Sequence, residues 1–277
     1  MNDPFGTSNR RRLRLRSGKE RVVANRHPWI FAGAIAKESG PEDAAIADLV
    51  DESGAVIASG FYSPHSQIRM RALTFGQPLT EAALRDRIRA SVARRTMLDG
   101  TTNAARVVNA EGDELSGLIV DRYNDVLVVE ISNAGVDQLR PLLVDALRDA
   151  APTRGIFFKN DLSVRGLERI SQESEWVGEG EPATEIVENG LRFAVDLEHG
   201  QKSGAFLDQR ENRELVRSVA GGRSVLNLFA YTGGFSVYAL AGGATSAVSV
   251  DVAKPALATI RTPSCSTTST HSLTLHW

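Results

Sequence analysis

Along the first 77 positions apolar residues recur in short alternating runs, not at helical spacing. Leu13 and Leu15 alternate with arginines, and runs at 46–50, 55–62 and 67–73 follow, separated by Ser53-Gly54 and Ser63-Pro64 and closed by Phe75-Gly76. Period-two patterning punctuated by Gly and Pro predicts a small β-rich module. His27-Pro28-Trp29-Ile30-Phe31 interrupts it, and Trp29 and Phe31 are expected to fill its core. Beyond Thr80, a capping residue, Leu84, Ile88 and Val92 fall at i, i+4 and i+8 and predict a helix over 81–98 with one buried stripe. Strands near 106–108, 118–121 and 126–131, a helix over 136–150 and a strand at 155–159 then describe a compact α+β middle segment, with Tyr123-Asn124-Asp125 as a hairpin turn.

From Glu173 to Glu185 the chain turns acidic and Gly/Pro-containing, which reads as a boundary. Past it, Asn189-Gly190 between two alternating runs predicts a hairpin, and a helix over 208–219 leads into Ser224-Val-Leu-Asn-Leu-Phe-Ala-Tyr-Thr-Gly-Gly-Phe-Ser and Ala247-Val-Ser-Val-Asp251. That is strand, glycine turn, small-residue helix and second strand, the opening of a nucleotide-binding α/β sheet. The expected fold class is therefore multidomain, α+β followed by α/β. Its segments are 1–77, 78–184, 185–261 and an atypical tail, 262–277, in which no strand is expected.

With 42% hydrophobic and 24% charged residues the chain reads as globular, neither collagen-like nor disordered. One cysteine, Cys265, excludes an intrachain disulfide and a Cys-based zinc site, and five scattered histidines make no ligand set, so no metal is expected. No apolar run is long enough for a membrane span or signal peptide, so a cytoplasmic protein is expected. Net charge is only −2, yet Arg10, Arg11, Arg12, Arg14, Arg16, Lys19, Arg21 and Arg26 face just Asp3 and Glu20 in the first 26 residues. Such a basic arm either meets a polyanion, gaining from counterion release, or is a solvated tail.

The chemistry of the α/β opening is more specific. Glycines let the backbone turn sharply beside a helix N-terminus, and Asp251, at the tip of the second strand, is placed to accept ribose hydroxyls. A dinucleotide site would want Gly-x-Gly-x-x-Gly against the pyrophosphate, whereas Tyr231-Thr-Gly-Gly-Phe-Ser holds two adjacent glycines. A nucleoside cofactor without phosphates, S-adenosylmethionine, fits better; a nicotinamide cofactor, or a turn that merely closes a βαβ unit, are the alternatives.

The segment His199-Gly-Gln-Lys-Ser-Gly-Ala-Phe-Leu-Asp-Gln-Arg-Glu-Asn-Arg213, with Leu226-Asn-Leu-Phe-Ala-Tyr-Thr-Gly-Gly-Phe-Ser-Val237 and Ser249-Val-Asp251, resembles the bacterial 23S rRNA cytosine-C5 methyltransferases of the large ribosomal subunit. Ser17-Gly-Lys-Glu-Arg21, Asn25-Arg-His-Pro-Trp-Ile-Phe-Ala-Gly-Ala-Ile35 and Gly60-Phe-Tyr-Ser-Pro-His-Ser-Gln-Ile-Arg-Met-Arg71 resemble the PUA domain that opens that family. The resemblance covers about 11–260 and implies a PUA-like RNA-binding barrel, a small ββαββ domain and a Rossmann-like class I methyltransferase domain. It implies that Lys202, Phe206, Asp208, Gln209 and Arg210 wall the S-adenosylmethionine pocket. Asn227, Phe229, Ala230, Tyr231, Thr232, Gly233 and Gly234 would form its floor, and Asp251 would hold the ribose. Solvated helix charge is the plainer use of Arg210 and Arg213. On the RNA side, Lys19, Arg21, Arg26 and Arg69 are the candidate phosphate contacts.

The chain departs from the family pattern after Asp251. The expected Asp-Pro-Pro-type loop does not follow, and Ser264-Cys265-Ser266 comes too soon after Asp251 to be the thiolate loop of the family, so the catalytic residues are unknown. A C-terminally truncated or frameshifted catalytic domain, with a shift near 258–261, accounts for the change. The expected function is then an S-adenosylmethionine-dependent 23S rRNA methyltransferase, inactive as this chain and possessing surface for a homodimer. A non-catalytic RNA-binding protein with a remnant methyltransferase domain is the competing reading.

Overall fold

The computed structural model describes residues 3–253 and 272–276. Two compact units emerge: Met1–Met97 with Arg106–Asp121 and Leu127–Gly180, and Leu98–Ala105 with Arg122–Val126 and Glu181–Trp277.

The first unit opens with β1 (Arg11–Leu15), α1 (Arg21–Ala24), β2 (Trp29–Phe31), β3 (Ile35–Ser39), β4 (Ile46–Val50), β5 (Val56–Tyr62) and β6 (Ile68–Phe75). They form a six-stranded sheet in the order β2-β6-β5-β4-β1-β3, antiparallel except for the β1–β4 pair. Leu13, Ile30, Leu49 and Met70 are fully buried on its inner face. The arginine arm is part of this fold: Arg10 is buried, pairing with Asp48 at 2.9 Å and donating to the Leu79 carbonyl. Trp29 and Phe31, expected in the core, are instead 36% and 47% exposed. In so short a strand the alternation turns Ile30 inward and both aromatics outward.

Next come α2 (Glu81–Ala93), β7 (Ala104–Asn109), β8 (Leu118–Tyr123), β9 (Val126–Ile131), α3 (Ala134–Gln138), α4 (Arg140–Ala150), β10 (Gly155–Phe158), α5 (Val164–Glu168) and β11 (Glu175–Gly178), with a sheet ordered β11-β10-β9-β8-β7. Thr80 caps α2, its hydroxyl accepting from the Ala83 N–H at 3.1 Å. Leu84, Ile88 and Val92 are buried as their spacing predicts, in a cluster with Leu143, Leu147, Val129 and Phe158. Ile46, Phe61 and Leu79 join the same cluster, so the two sheets of this unit share one core. Gly135, in α3, sits where a Cβ would lie 2.4 Å from the Ala45 carbonyl oxygen and 2.7 Å from the Tyr62 nitrogen. The single helix expected over 136–150 is two: α3 ends at Gln138, and Pro141, which lacks an N–H, stands in the first turn of α4. The acidic stretch read as a boundary contains β11, paired antiparallel with β10. Its Trp176 covers Gly155, where a Cβ would be 2.2 Å from the indole, and flanking glutamates obscure this short apolar run in the sequence.

The second unit contains β12 (Ala183–Glu188), β13 (Leu191–Asp196), α6 (Arg210–Val219), β14 (Ser224–Leu228), α7 (Gly234–Ala241), β15 (Ser246–Val250) and β16 (Ser272–His276). Asn189 and Gly190 close the β12–β13 hairpin with φ of 50° and 79°, the left-handed pair a tight two-residue turn requires. β14, β15 and β16 form a parallel sheet in that order. β16 corrects the expectation that the tail carries no strand. Ser-Leu-Thr-Leu-His has just enough alternation to be overlooked, and the open edge of β15 supplies unpaired backbone groups to any extended segment beside it. The expected frameshift point and Cys265 lie outside the described residues. Leu226 and Leu228 on β14 and Leu215 and Val219 on α6 remain more than half exposed, at 64%, 55%, 63% and 53%. Among the described residues no helix is long and apolar enough to cross a membrane.

Candidate cofactor site

β14 and β15 run parallel and end side by side, so the turn after β14 and the carboxylate after β15 meet. Three residues of the turn have positive φ: Phe229 (56°), Tyr231 (48°) and Gly233 (66°). Only glycine adopts this region without cost; each of the other two carries strain of roughly 1–3 kcal/mol. The hydrogen bonds that hold it are specific. The Ala230 N–H donates to the Val250 carbonyl at 3.1 Å, the Gly233 N–H to the Ala230 carbonyl at 2.7 Å, and the Tyr231 N–H to Asp251 Oδ2 at 2.7 Å. Asp251 Oδ1 accepts from the Ala253 N–H at 2.8 Å, and these backbone donors, Ala253 first and Tyr231 next, hold the carboxyl below the ordinary aspartate value. Behind the turn Asn227 Nδ2 donates to Ser236 Oγ at 3.0 Å, and Ser236 and Ser249 share a hydrogen bond of 2.6 Å, tying α7 to both strands.

Tyr231 also reaches the other wall. Its phenol oxygen accepts from the Gln201 N–H at 2.8 Å and donates to the Gly204 carbonyl at 3.1 Å, and its ring meets Phe206 edge-on at 5.4 Å. Burial raises the phenol above its ordinary pKa, keeping it a donor. Lys202 Nζ lies 4.3 Å from the Phe206 ring centre and 3.3 Å from Asp208 Oδ1.

A cavity of ≈ 270 Å³ opens between the 204–209 segment, the 229–235 turn and the β12–β13 hairpin. Of the residues expected at the site, Phe206 and Gln209 line it from one side and Phe229, Ala230, Tyr231, Thr232 and Gly234 from the other. Lys202, Asp208, Arg210, Asn227, Gly233 and Asp251 do not line it: Lys202 and Asp208 pair outside Phe206, while Asn227, Gly233 and Asp251 shape the turn. Arg210 opens α6, 3.7 Å from Glu211.

Sequence reasoning missed the cavity's base. Arg213, for which a solvated charge was the plainer reading, is buried and grips Glu188 with two hydrogen bonds of 2.8 Å while donating to the Phe206 carbonyl at 3.0 Å. Tyr238 donates to the same carboxylate at 2.9 Å, and Asn189 Nδ2 donates to the Tyr238 oxygen at 3.1 Å. One signal was available: Glu188 occupies an inward position of β12, two residues from the buried Ile186, and an inward carboxylate requires a buried partner.

In the first unit, Lys19, Arg21 and Arg26 are exposed, with the Arg26 guanidinium 6.0 Å from the Phe75 ring centre. Arg69 is turned inward, 3.2 Å from Glu38 Oε1 and donating to the Ser63 and Pro64 carbonyls.

Residues 113–273 match the S-adenosylmethionine-dependent methyltransferase family, and 13–75 match a PUA-like domain. The chain belongs to the S-adenosylmethionine-dependent methyltransferases. It is 41% identical over 251 residues to ribosomal RNA large subunit methyltransferase I of Tolumonas auensis, covering 88% of this chain and 63% of that protein. Its identity to the protein of the same name from Escherichia coli is 39% over 254 residues, covering 89% and 64%. The chain thus spans a little under two thirds of the length of these curated relatives. Among solved structures, a protein described as a SAM-dependent methyltransferase from Streptococcus mutans superposes with a TM-score of 0.71 at 26% identity, covering 95% of this chain and 70% of that one. A methyltransferase complexed with SAH superposes with a TM-score of 0.74 at 26% identity, covering 95% and 69%. The N-terminal β module is PUA-like and the second unit is the Rossmann-like part of a methyltransferase.

Proposed function

We propose that this chain carries the RNA-docking and cofactor-gripping parts of a methyltransferase that modifies cytosine C5 of 23S ribosomal RNA. The observation that carries the cofactor half is the turn between β14 and α7, held by Asp251, which leaves a mostly apolar, aromatic-walled cavity and no third glycine for a pyrophosphate. These residues fit S-adenosylmethionine. Each Asp251 oxygen accepts one backbone N–H, so about two of its roughly four acceptor positions remain for a ribose diol. Phe206, Phe229 and Tyr231 offer ring surface to an adenine, and when bound the cofactor supplies an electrophilic methyl group. Lys202, Asp208 and Arg210 would frame the mouth and Gln209 and Thr232 supply polar contacts, with Arg213 and Glu188 keeping the wall in place.

The RNA half rests on the PUA-like module and on the similarity to ribosomal RNA methyltransferases. Exposed Lys19, Arg21 and Arg26 would meet phosphates, with Arg69 supporting the surface from within, and such a partner places the protein in the cytoplasm. The modules proposed are 1–77 for RNA, 78–184 as the middle domain and 185–261 for the cofactor. Methylating C5 needs a thiolate that adds to C6 and a base that removes the C5 proton. In this reading Ser264-Cys265-Ser266 follows Asp251 too closely in the sequence to serve as that thiolate loop, so the polypeptide is expected to bind cofactor and RNA with little turnover. The exposed Leu226 and Leu228 of β14 are the surface through which two copies would associate as a homodimer.

Isothermal titration tests the reading. S-adenosylmethionine and S-adenosylhomocysteine should bind and NAD should not; binding of NAD with no response to the sulfonium nucleoside would overturn it. Incorporation of labelled methyl into 23S rRNA fragments at the rate of a longer relative would overturn the expectation of low turnover.

A further inference from the structure

β2 is the edge strand of the PUA-like sheet, and its outward aromatics form a series. The His27 and Trp29 ring centres lie 6.1 Å apart at 68°, and those of Trp29 and Phe31 6.4 Å apart at 81°, each pair edge to face. All three side chains are exposed, although a six-stranded sheet with a filled core has no packing use for them there. Trp29 is held in place: its indole N–H donates to Glu111 Oε1 at 2.8 Å, and the same oxygen accepts from Ser116 Oγ at 2.6 Å. A ring locked in this way loses little freedom when a second ring packs on it.

The surroundings are basic. Exposed Arg21 and Arg26 precede the strip in the chain, and Arg16 lies beyond it, donating to the Ile35 carbonyl at 3.3 Å. Of the nearby acids, Glu111 is occupied by Trp29 and Ser116, and Glu20 accepts from the Gly18 N–H. Strand addition by a peptide is poorly served here. β2 is three residues long, proline precedes it, and the Trp29 N–H already donates to His27 Nδ1 at 3.0 Å.

We propose that the His27–Trp29–Phe31 strip is a stacking platform for unpaired nucleotides, whose bases pack on the Trp29 and Phe31 rings while Arg21 and Arg26 meet the flanking phosphates. The proposal deepens the RNA reading above and rests on it. It adds a selectivity: base faces are available in a single strand and hidden in a duplex, so this surface directs the enzyme to a loop or bulge and not to a stem.

The test is anisotropy titration of the full chain with a dye-labelled single strand of about ten nucleotides and, separately, with a fully paired hairpin. Trp29→Ala and Phe31→Ala should each weaken single-strand binding by about tenfold or more and change hairpin binding by less than about twofold. Trp29→Phe, which keeps a ring and loses only the bond to Glu111, should recover most of the loss. The slope of affinity against salt should stay as in the parent, because no charge is removed. Equal single-strand affinity for parent and alanine variants, each verified as folded by thermal melting, would sink the platform while leaving RNA binding intact. A parent chain that binds neither RNA at low salt would sink the RNA reading itself. Loss of a sedimenting dimer in the alanine variants, with RNA binding unchanged, would reassign the strip to contact between copies.

Discussion

β9 lies in the middle of its sheet in the first unit and β14 at the edge of its sheet in the second, and the two have opposite surroundings. Every residue of β9 is buried, from Val126 to Ile131, whereas β14 alternates exposed and half-buried positions and leaves Leu226 and Leu228 facing solvent. The first unit is held by an apolar core shared between two sheets. The second is held in large part by polar ties: Arg213 to Glu188, Tyr231 to Asp251 and to the 201–204 segment, Ser236 to Ser249. A cofactor site built on directional bonds keeps its shape without a thick core, but each bond then matters singly.

Substitutions separate the two regimes. Glu188→Ala should have the largest effect, about 3–5 kcal/mol, because it leaves the buried Arg213 guanidinium without its partner. The loss should appear as unfolding of the second unit in hydrogen exchange, together with loss of S-adenosylmethionine binding. Leu147→Ala in the first core should cost about 2–5 kcal/mol in urea unfolding, while Leu226→Ala on β14 should cost less than about 0.5 kcal/mol. Comparable losses at both leucines would break the contrast. Tyr231→Phe removes one hydroxyl that makes two hydrogen bonds, so a stability loss of about 1–2 kcal/mol is expected. Weaker cofactor binding should accompany it, read by calorimetry.

The smallest effects are those of pH, and they fall on opposite limbs. Tyr62 is pushed up to about 12, first by burial and then by its hydrogen bond to Glu38. A raised folded-state value means that its contribution is complete below the unfolded value, roughly 10, and is lost as pH rises through the folded value. Tyr62→Phe should therefore flatten alkaline unfolding of the first unit. Asp251 is shifted downward, so its contribution is present above the unfolded value, roughly 4, and is lost as pH falls through the folded one. Asp251→Asn should flatten the acid limb of cofactor-site stability, measured by exchange of the Tyr231 amide.

Local pattern made much of this legible. The stripe of α2, the Asn189-Gly190 hairpin and the strand, turn, helix and strand around Tyr231 follow from spacings within a few residues. What escaped depends on neighbours distant in sequence. Three residues of β2 do not reveal which way they alternate, so Trp29 and Phe31 were expected inside. Arg213 looks like any helix-surface arginine until Glu188, 25 residues earlier, is brought beside it. β11 is masked by its glutamates and β16 by its faint alternation, and both are strands because a neighbouring edge offers them hydrogen bonds.

Gly135 adds a mechanical consequence. With backbone pressed on backbone at the Ala45 and Tyr62 positions, not even a methyl group fits the joint, so it acts as a rivet and not a hinge. Any displacement of the amino-terminal sheet at this point is passed to α3 through backbone contact, with no side chain between them to give way. Gly135→Ala should therefore force the two sheets of the first unit apart at this joint.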